Sequence, residues 1–198
     1  MLAFCKTYKT TLALQLLWAG LYLAGLFFPL NDLLCGRGLA LLSGEWYRIL
    51  CAPHLHYGVL HLLVNLLGLY FAGTLLEPRM GSARFAAFSL LAASAASAVY
   101  ALVTPRSTDY MGGSILVFAL LGLWLARRLL YRDAPPLRLG SWRGNFLLGY
   151  ALLGNVPVLP FMDGGTLALH AVSFAVGALL GAVPFFYKRK APSPPTTL

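Results

Sequence analysis

The residues able to do chemistry in this chain are few and widely separated. His61 and Asn65 stand four apart in the run His61-Leu-Leu-Val-Asn65, the spacing that places two side chains on one face of a helix. Ser114 closes the string Tyr110-Met-Gly112-Gly113-Ser114, and His170 is followed at helical spacing by Ser173, Gly177 and Gly181. A neutral imidazole beside a serine can take the hydroxyl proton as the oxygen attacks a carbonyl, then return it to the leaving amine. N–H donors from His61 and Asn65, with the backbone N–H of Ser114 at a helix N-terminus, suit the oxyanion of such a reaction. A single serine in an apolar helix is more often a packing residue, so the reading depends on Ser114 and His170 meeting.

The rival chemistry is a metal. His54, His56, His61 and His170 are four possible ligands. His54 and His56 are two apart, which on a helix points them in different directions, and no carboxylate or thiolate pair completes a tetrahedral set. Neither a metal nor a cofactor is expected, and His54 and His56 are read as residues of the water interface. The three cysteines show no zinc-like spacing, although Cys35 and Cys51 share one loop and could pair.

The elements that must position these groups follow from composition. The chain has 198 residues, 59% hydrophobic and only 11% charged, with a mean hydropathy of +0.74. Soluble domains hold about 45–50% apolar and roughly 25% charged residues, so a water-soluble globular enzyme is excluded. Apolar blocks bounded by charges, Pro or Gly run over approximately 11–30, 54–76, 85–104, 112–131, 144–161 and 164–187, each near the ~20 residues that cross a bilayer. The expected fold is an all-α bundle of six membrane helices over 1–190, with a Pro/Ser/Thr-rich tail, 191–198, read as disordered.

Charge sets the orientation. With six spans the termini share a side, and the loops of that side hold most of the 15 Lys and Arg residues. The opposite loops hold Arg37, Arg48 and Arg106. Both termini are therefore expected in the cytoplasm, and the net charge of +9 reads as topology and contact with membrane lipids, not nucleic acid. The first block is read as an uncleaved anchor, being too long for a signal core. On this plan spans two, four and six run inward from outside, and His61, Ser114 and His170 all lie toward the outer leaflet. Asp109 and Asp163 fall near outer ends and Glu77 at the inner end of span two, so a Ser-His pair is expected and not a triad. Ser114, Phe118 and Gly122 form one ridge, and Ser173, Gly177 and Gly181 another; facing them would bring Ser114 toward His170 with Phe118 against the imidazole. The stretch Ala92–Ala98 reads as a third packing stripe.

The ordered set Glu45-Trp46-Tyr47-Arg48, His61-x-x-x-Asn65, Leu76-Glu77-Pro-Arg79-Met-Gly81-Ser82, Gly112-x-Ser114 and His170 resembles the rhomboid intramembrane serine proteases over the whole six-span chain. The resemblance implies a catalytic dyad recessed in a water-filled cavity open to the outside. Ser114 would be the nucleophile, His170 the base, and His61, Asn65 and the Ser114 amide the oxyanion hole. It also implies that Phe118 packs on the catalytic His and that Trp46 and Tyr47 anchor the first outer loop at the interface. Span five, carrying Gly149, Gly154, Asn155, Pro157 and Pro160, would then serve as a mobile gate. Transmembrane protein substrates follow, in a plasma (inner) membrane of bacterial type. Two positions depart from the family: Ile115 stands where its Gly-x-Ser-Gly motif has the second Gly, and Ser173 where a Gly follows the His by three. Either the two helices sit further apart, or neighbouring small residues compensate. These departures motivate the alternative of a catalytically inactive rhomboid-like protein that binds membrane protein clients.

Overall fold

A computed structural model describes residues 7–39, 42–155 and 164–187. The elements in chain order are α1 (Lys9–Gly25), α2 (Leu30–Leu34), β1 (Gly36–Arg37), α3 (Tyr47–Cys51) running into a 3₁₀ turn (Ala52–His54), α4 (Val59–Met80), α5 (Ser82–Val103), β2 (Asp109–Tyr110), α6 (Ser114–Ala126), α7 (Trp142–Leu153) and α8 (Gly164–Gly181). A π-helical turn, Arg127–Tyr131, extends α6, and a 3₁₀ turn, Pro184–Phe186, follows α8.

Four of these helices are long and apolar enough to cross a membrane: Val59–Met80, Ser82–Val103, Ser114–Tyr131 and Gly164–Gly181. They correspond to the second, third, fourth and sixth apolar blocks. In the first block, α1 has 17 residues and stops at Gly25, so residues 26–30 belong to a turn and to the start of α2 instead of the helix. The fifth block is represented by α7, 12 residues long; its continuation from 156 to 161, with Pro157 and Pro160, lies outside the described residues, as do Asp163 and the tail 191–198. Apolar side chains such as Leu16, Leu23, Leu60, Leu90 and Leu179 are exposed on the outer faces of the helices, which is unfavourable in water and favourable against lipid tails.

The centre of the bundle is α6. Every residue from Ser114 to Leu123 is buried, because α4, α5 and α8 all pack around it. The contact with α8 is backbone to backbone. A Cβ at Gly122 would fall 2.0 Å from the Phe174 carbonyl oxygen, and one at Gly177 would fall 1.9 Å from that of Ala119. Glycine is thus obligatory on both sides of the seam. α5 packs on α6 and α8 through the expected stripe, with Ala92, Ala93, Ala96 and Ser97 buried.

The loops are tied to the bundle at both ends. Gly36 pairs with Tyr110 and Arg37 with Asp109 in a two-stranded antiparallel ribbon, which joins the long first loop to the lead-in of α6. Arg48 of the Glu45-Trp46-Tyr47-Arg48 string is buried. Its guanidinium lies 3.2 Å from the Glu45 carboxylate and donates to the Asp32 and Cys35 carbonyls. Trp46 and Tyr47 are exposed, as interface anchors must be. Cys35 and Cys51 are both free thiols. At the far end of α4, Glu77 is fully buried. Its carboxylate accepts from the Thr10 and Thr11 N–H groups and the Thr11 and Ser82 hydroxyls, capping the otherwise unsatisfied first turn of α1 from another helix.

Candidate active site

Ser114 is the first residue of α6, and the chain before it is bent by Gly112, whose φ of +142° is closed to L side chains. A Cβ at Gly112 would lie 2.8 Å from His61 Cε1 and 3.4 Å from Ser114 Oγ. The His61 ring and the Ser114 hydroxyl therefore border the same small space, which a methyl group would fill. The lead-in is held by two further bonds: the Gly112 N–H donates to the Ala52 carbonyl at 3.0 Å, and the Gly113 N–H to His56 Nε2 at 3.3 Å.

That second bond corrects the expectation for His56. It does not sit at a water interface: it is 2% exposed, packed between Trp18 and His61 with ring centroids 5.3 and 5.2 Å away, whereas His54 is half-buried. His54 Nδ1 accepts the Trp18 indole N–H at 3.0 Å. The stretch 54–58 is a 3₁₀ end and an extended connection, with α4 beginning only at Val59, so the chain can turn the His56 ring back to the lead-in of α6. Among the described residues, no three His, Cys, Asp or Glu side chains gather as a metal site would require. Burial pushes the Cys35 and Cys51 thiols up from their ordinary range, opposite to the shift that makes a cysteine nucleophilic.

His170 sits near the start of α8, 4% exposed, and Ser114 is 7% exposed. Phe118, one turn after Ser114, stacks on the His170 ring at 4.1 Å between centroids and 18° between planes. The face of α6 that carries Ser114 is thus the face that meets His170. No hydrogen bond joins the Ser114 hydroxyl to the His170 ring among the described residues; in resting sites such bonds are often long and tighten with substrate.

The departures at 115 and 173 leave the seam intact. Ile115 and Ser173 are both fully buried, and the Ser173 hydroxyl donates to the Leu169 carbonyl within its own helix at 2.7 Å. Close approach is achieved one and two turns further on, at Gly122 and Gly177. Neighbouring small residues compensate, and the helices are not held apart.

Two contributors, Tyr150 and Asn155, lie outside the residues that the sequence marks for the site. Asn65, 1% exposed, donates from Nδ2 to the His61 carbonyl at 2.9 Å, while its Oδ1 accepts the first contributor's hydroxyl, that of Tyr150, at 2.5 Å. Tyr150 on α7 also packs on Phe118, with centroids 5.5 Å apart. Because the His61 carbonyl can only accept, it fixes which end of Asn65 is the donor, and the Tyr150 hydroxyl then donates to the amide oxygen. The sequence signal was a tyrosine inside an apolar block, where a buried hydroxyl needs a partner. The second is Asn155, at the end of α7: its Oδ1 lies 3.1 Å from His170 Nδ1.

Comparison with known proteins shows the family. The family model for the Rhomboid domain matches residues 43–185. RHOMBOID-like protein 4 of Arabidopsis thaliana is 34% identical over 139 residues, 70% of this chain and 34% of that protein. The inactive RHOMBOID-like protein 8 of the same plant is 30% identical over 126 residues, 60% of this chain and 33% of that one. Rhomboid protease GluP of Bacillus subtilis is 36% identical over 83 residues, 42% of this chain and 16% of that one. The chain spans about a third or less of the length of these curated relatives.

Proposed function

This chain belongs to the rhomboid family, and on that premise we propose that it is an intramembrane serine endopeptidase of six spans with both termini cytoplasmic. It would use Ser114 and His170 to cut membrane protein substrates near the outer face of a bacterial-type plasma membrane. The observation that carries the reading is the Phe118–His170 stack: it aligns the Ser114 face of α6 with the imidazole across a seam too tight to slip.

In the reaction, Ser114 Oγ attacks the scissile carbonyl carbon while its proton passes to His170 Nε2. The C–N bond then breaks and the amine leaves with that proton. Water attacks the acyl-enzyme, losing a proton to His170, which returns it to Ser114 as the second product departs. His61, Asn65 and the Ser114 N–H bind the oxyanion, each such donor contributing a few kcal/mol. The substrate helix must unwind at the bond cut, since a helical carbonyl is already engaged, so segments with Gly or Pro are preferred.

Purified protein in detergent is expected to cleave such a segment, and Ser114→Ala and His170→Ala each to abolish cleavage without loss of helicity by circular dichroism. Cleavage surviving either change refutes the dyad. The second reading, an inactive client-binding member, is favoured by the missing Ser114–His170 hydrogen bond and by the inactive relative at 30% identity. It predicts client co-purification unaffected by Ser114→Ala and no labelling of Ser114 by a fluorophosphonate.

A further inference from the structure

Among the described residues His170 has no carboxylate partner, yet its ring is held from behind. Nδ1 lies 3.0 Å from the Gly154 carbonyl oxygen and 3.1 Å from Asn155 Oδ1. A backbone carbonyl can only accept. Asn155 Nδ2 donates to the Ala151 carbonyl at 2.6 Å, and that bond turns the other end of the amide, also an acceptor, toward the imidazole. Two acceptors on one ring nitrogen require that nitrogen to carry the proton. Nε2 is then left with the lone pair, the form a general base needs.

The local chain makes this possible. α7 stops at Leu153, the Gly154 N–H still bonds back to the Tyr150 carbonyl at 3.0 Å, and the last carbonyls of the helix have no intrahelical partner. Ala151 gives its carbonyl to Asn155 and Gly154 gives its own to His170. The negative end of the α7 dipole also faces the ring and favours an imidazolium as it forms.

We propose that Asn155, acting with the Gly154 carbonyl at the end of α7, is a positioning residue that holds His170 in its Nδ1–H tautomer, an uncharged substitute for the acidic third member of a hydrolase triad. It acts through His170 and does not touch the substrate. The proposal rests on the Ser114–His170 reading, and its test separates the two. In the full-length protein in detergent, Asn155→Ala is expected to lower kcat about 10- to 100-fold with KM within twofold. In histidine-labelled protein, the ¹⁵N spectrum of His170, assigned by its absence in His170→Ala, is expected to change from Nδ1–H to a mixture of tautomers. Asn155→Asp is expected to restore most of kcat. Its carboxylate would stabilise the imidazolium, so the base loses its proton only at higher pH and the acidic limb of the rate profile moves upward.

Wild-type kcat and an unchanged tautomer in Asn155→Ala overturn the proposal. So does an equal loss in the Ala and Asp variants with no movement of the pH limb, which marks a purely structural residue. Cleavage surviving Ser114→Ala instead defeats the dyad, and the tautomer of His170 then still decides the role of Asn155.

Discussion

The helix α4 carries a polar cluster near each end, and the two are built on opposite plans. Around Glu77 every carboxylate valence is used: Oε1 accepts from Thr10 N–H and Ser82 Oγ, Oε2 from Thr11 N–H and Oγ, at 2.6 to 2.9 Å. Roughly 24 Å along the axis, at 1.5 Å per residue, the cluster around His61 is left open. Among the described residues the Ser114 hydroxyl makes no bond to His170, and only one bond from the Asn65 amide nitrogen is accounted for, on the His61 carbonyl. A polar group in a low-dielectric interior is costly unless paired. A cluster that exists to hold helices together therefore closes on itself, while one that must bind a transition state keeps donors and acceptors in reserve. The supports behind the open cluster are closed: Tyr150 on Asn65, Gly154 and Asn155 on His170, Phe118 across the ring.

Breaking the closed cluster should cost the most stability. Glu77→Ala leaves four donors at the α1–α4 junction without their acceptor, and bonds to a charged group contribute about 1.5–3 kcal/mol each. We expect thermal denaturation to begin well below that of the parent, with kcat per folded molecule nearly unchanged. Loss of activity without loss of stability would erase the distinction between the two ends. Tyr150→Phe sharpens it from the other side. Removing one hydroxyl from a supporting bond should cost about 1 kcal/mol of stability and roughly 10-fold in kcat, by freeing the Asn65 amide to turn. Asn65→Ala should lose one to two orders of magnitude; a Tyr150→Phe enzyme with parental kcat would show that Asn65 needs no such support. Ser173→Ala should do least. Its hydroxyl serves only its own helix, so melting temperature and rate should both stay close to parental, and a large change in either would show that the α6–α8 seam depends on that position.

Much of this was legible in the primary structure, for reasons visible in particular residues. Ser114, Phe118 and Gly122 repeat at four-residue intervals, as do Ser173, Gly177 and Gly181, and such ridges can meet in few ways; their meeting, with Phe118 on His170, follows. The burial of His56 is not legible from spacing: it precedes α4, where an irregular chain can point a side chain inward. Tyr150, Gly154 and Asn155 were legible only as an interrupted apolar block, since what a helix end offers depends on which side chain from another helix arrives there.

Composition and apolar block length alone determined that this chain spans a membrane, because no other solvent accepts so much apolar surface. The order of its His, Asn, Gly and Ser residues alone marked the candidate chemistry. Only the tertiary structure decided which polar groups are saturated and which are free, and which ring nitrogen of His170 carries its proton. Those depend on distances of about 3 Å between atoms from different helices, and a hydrogen bond at that range is set by where helices end and cross, which no spacing along a single helix encodes.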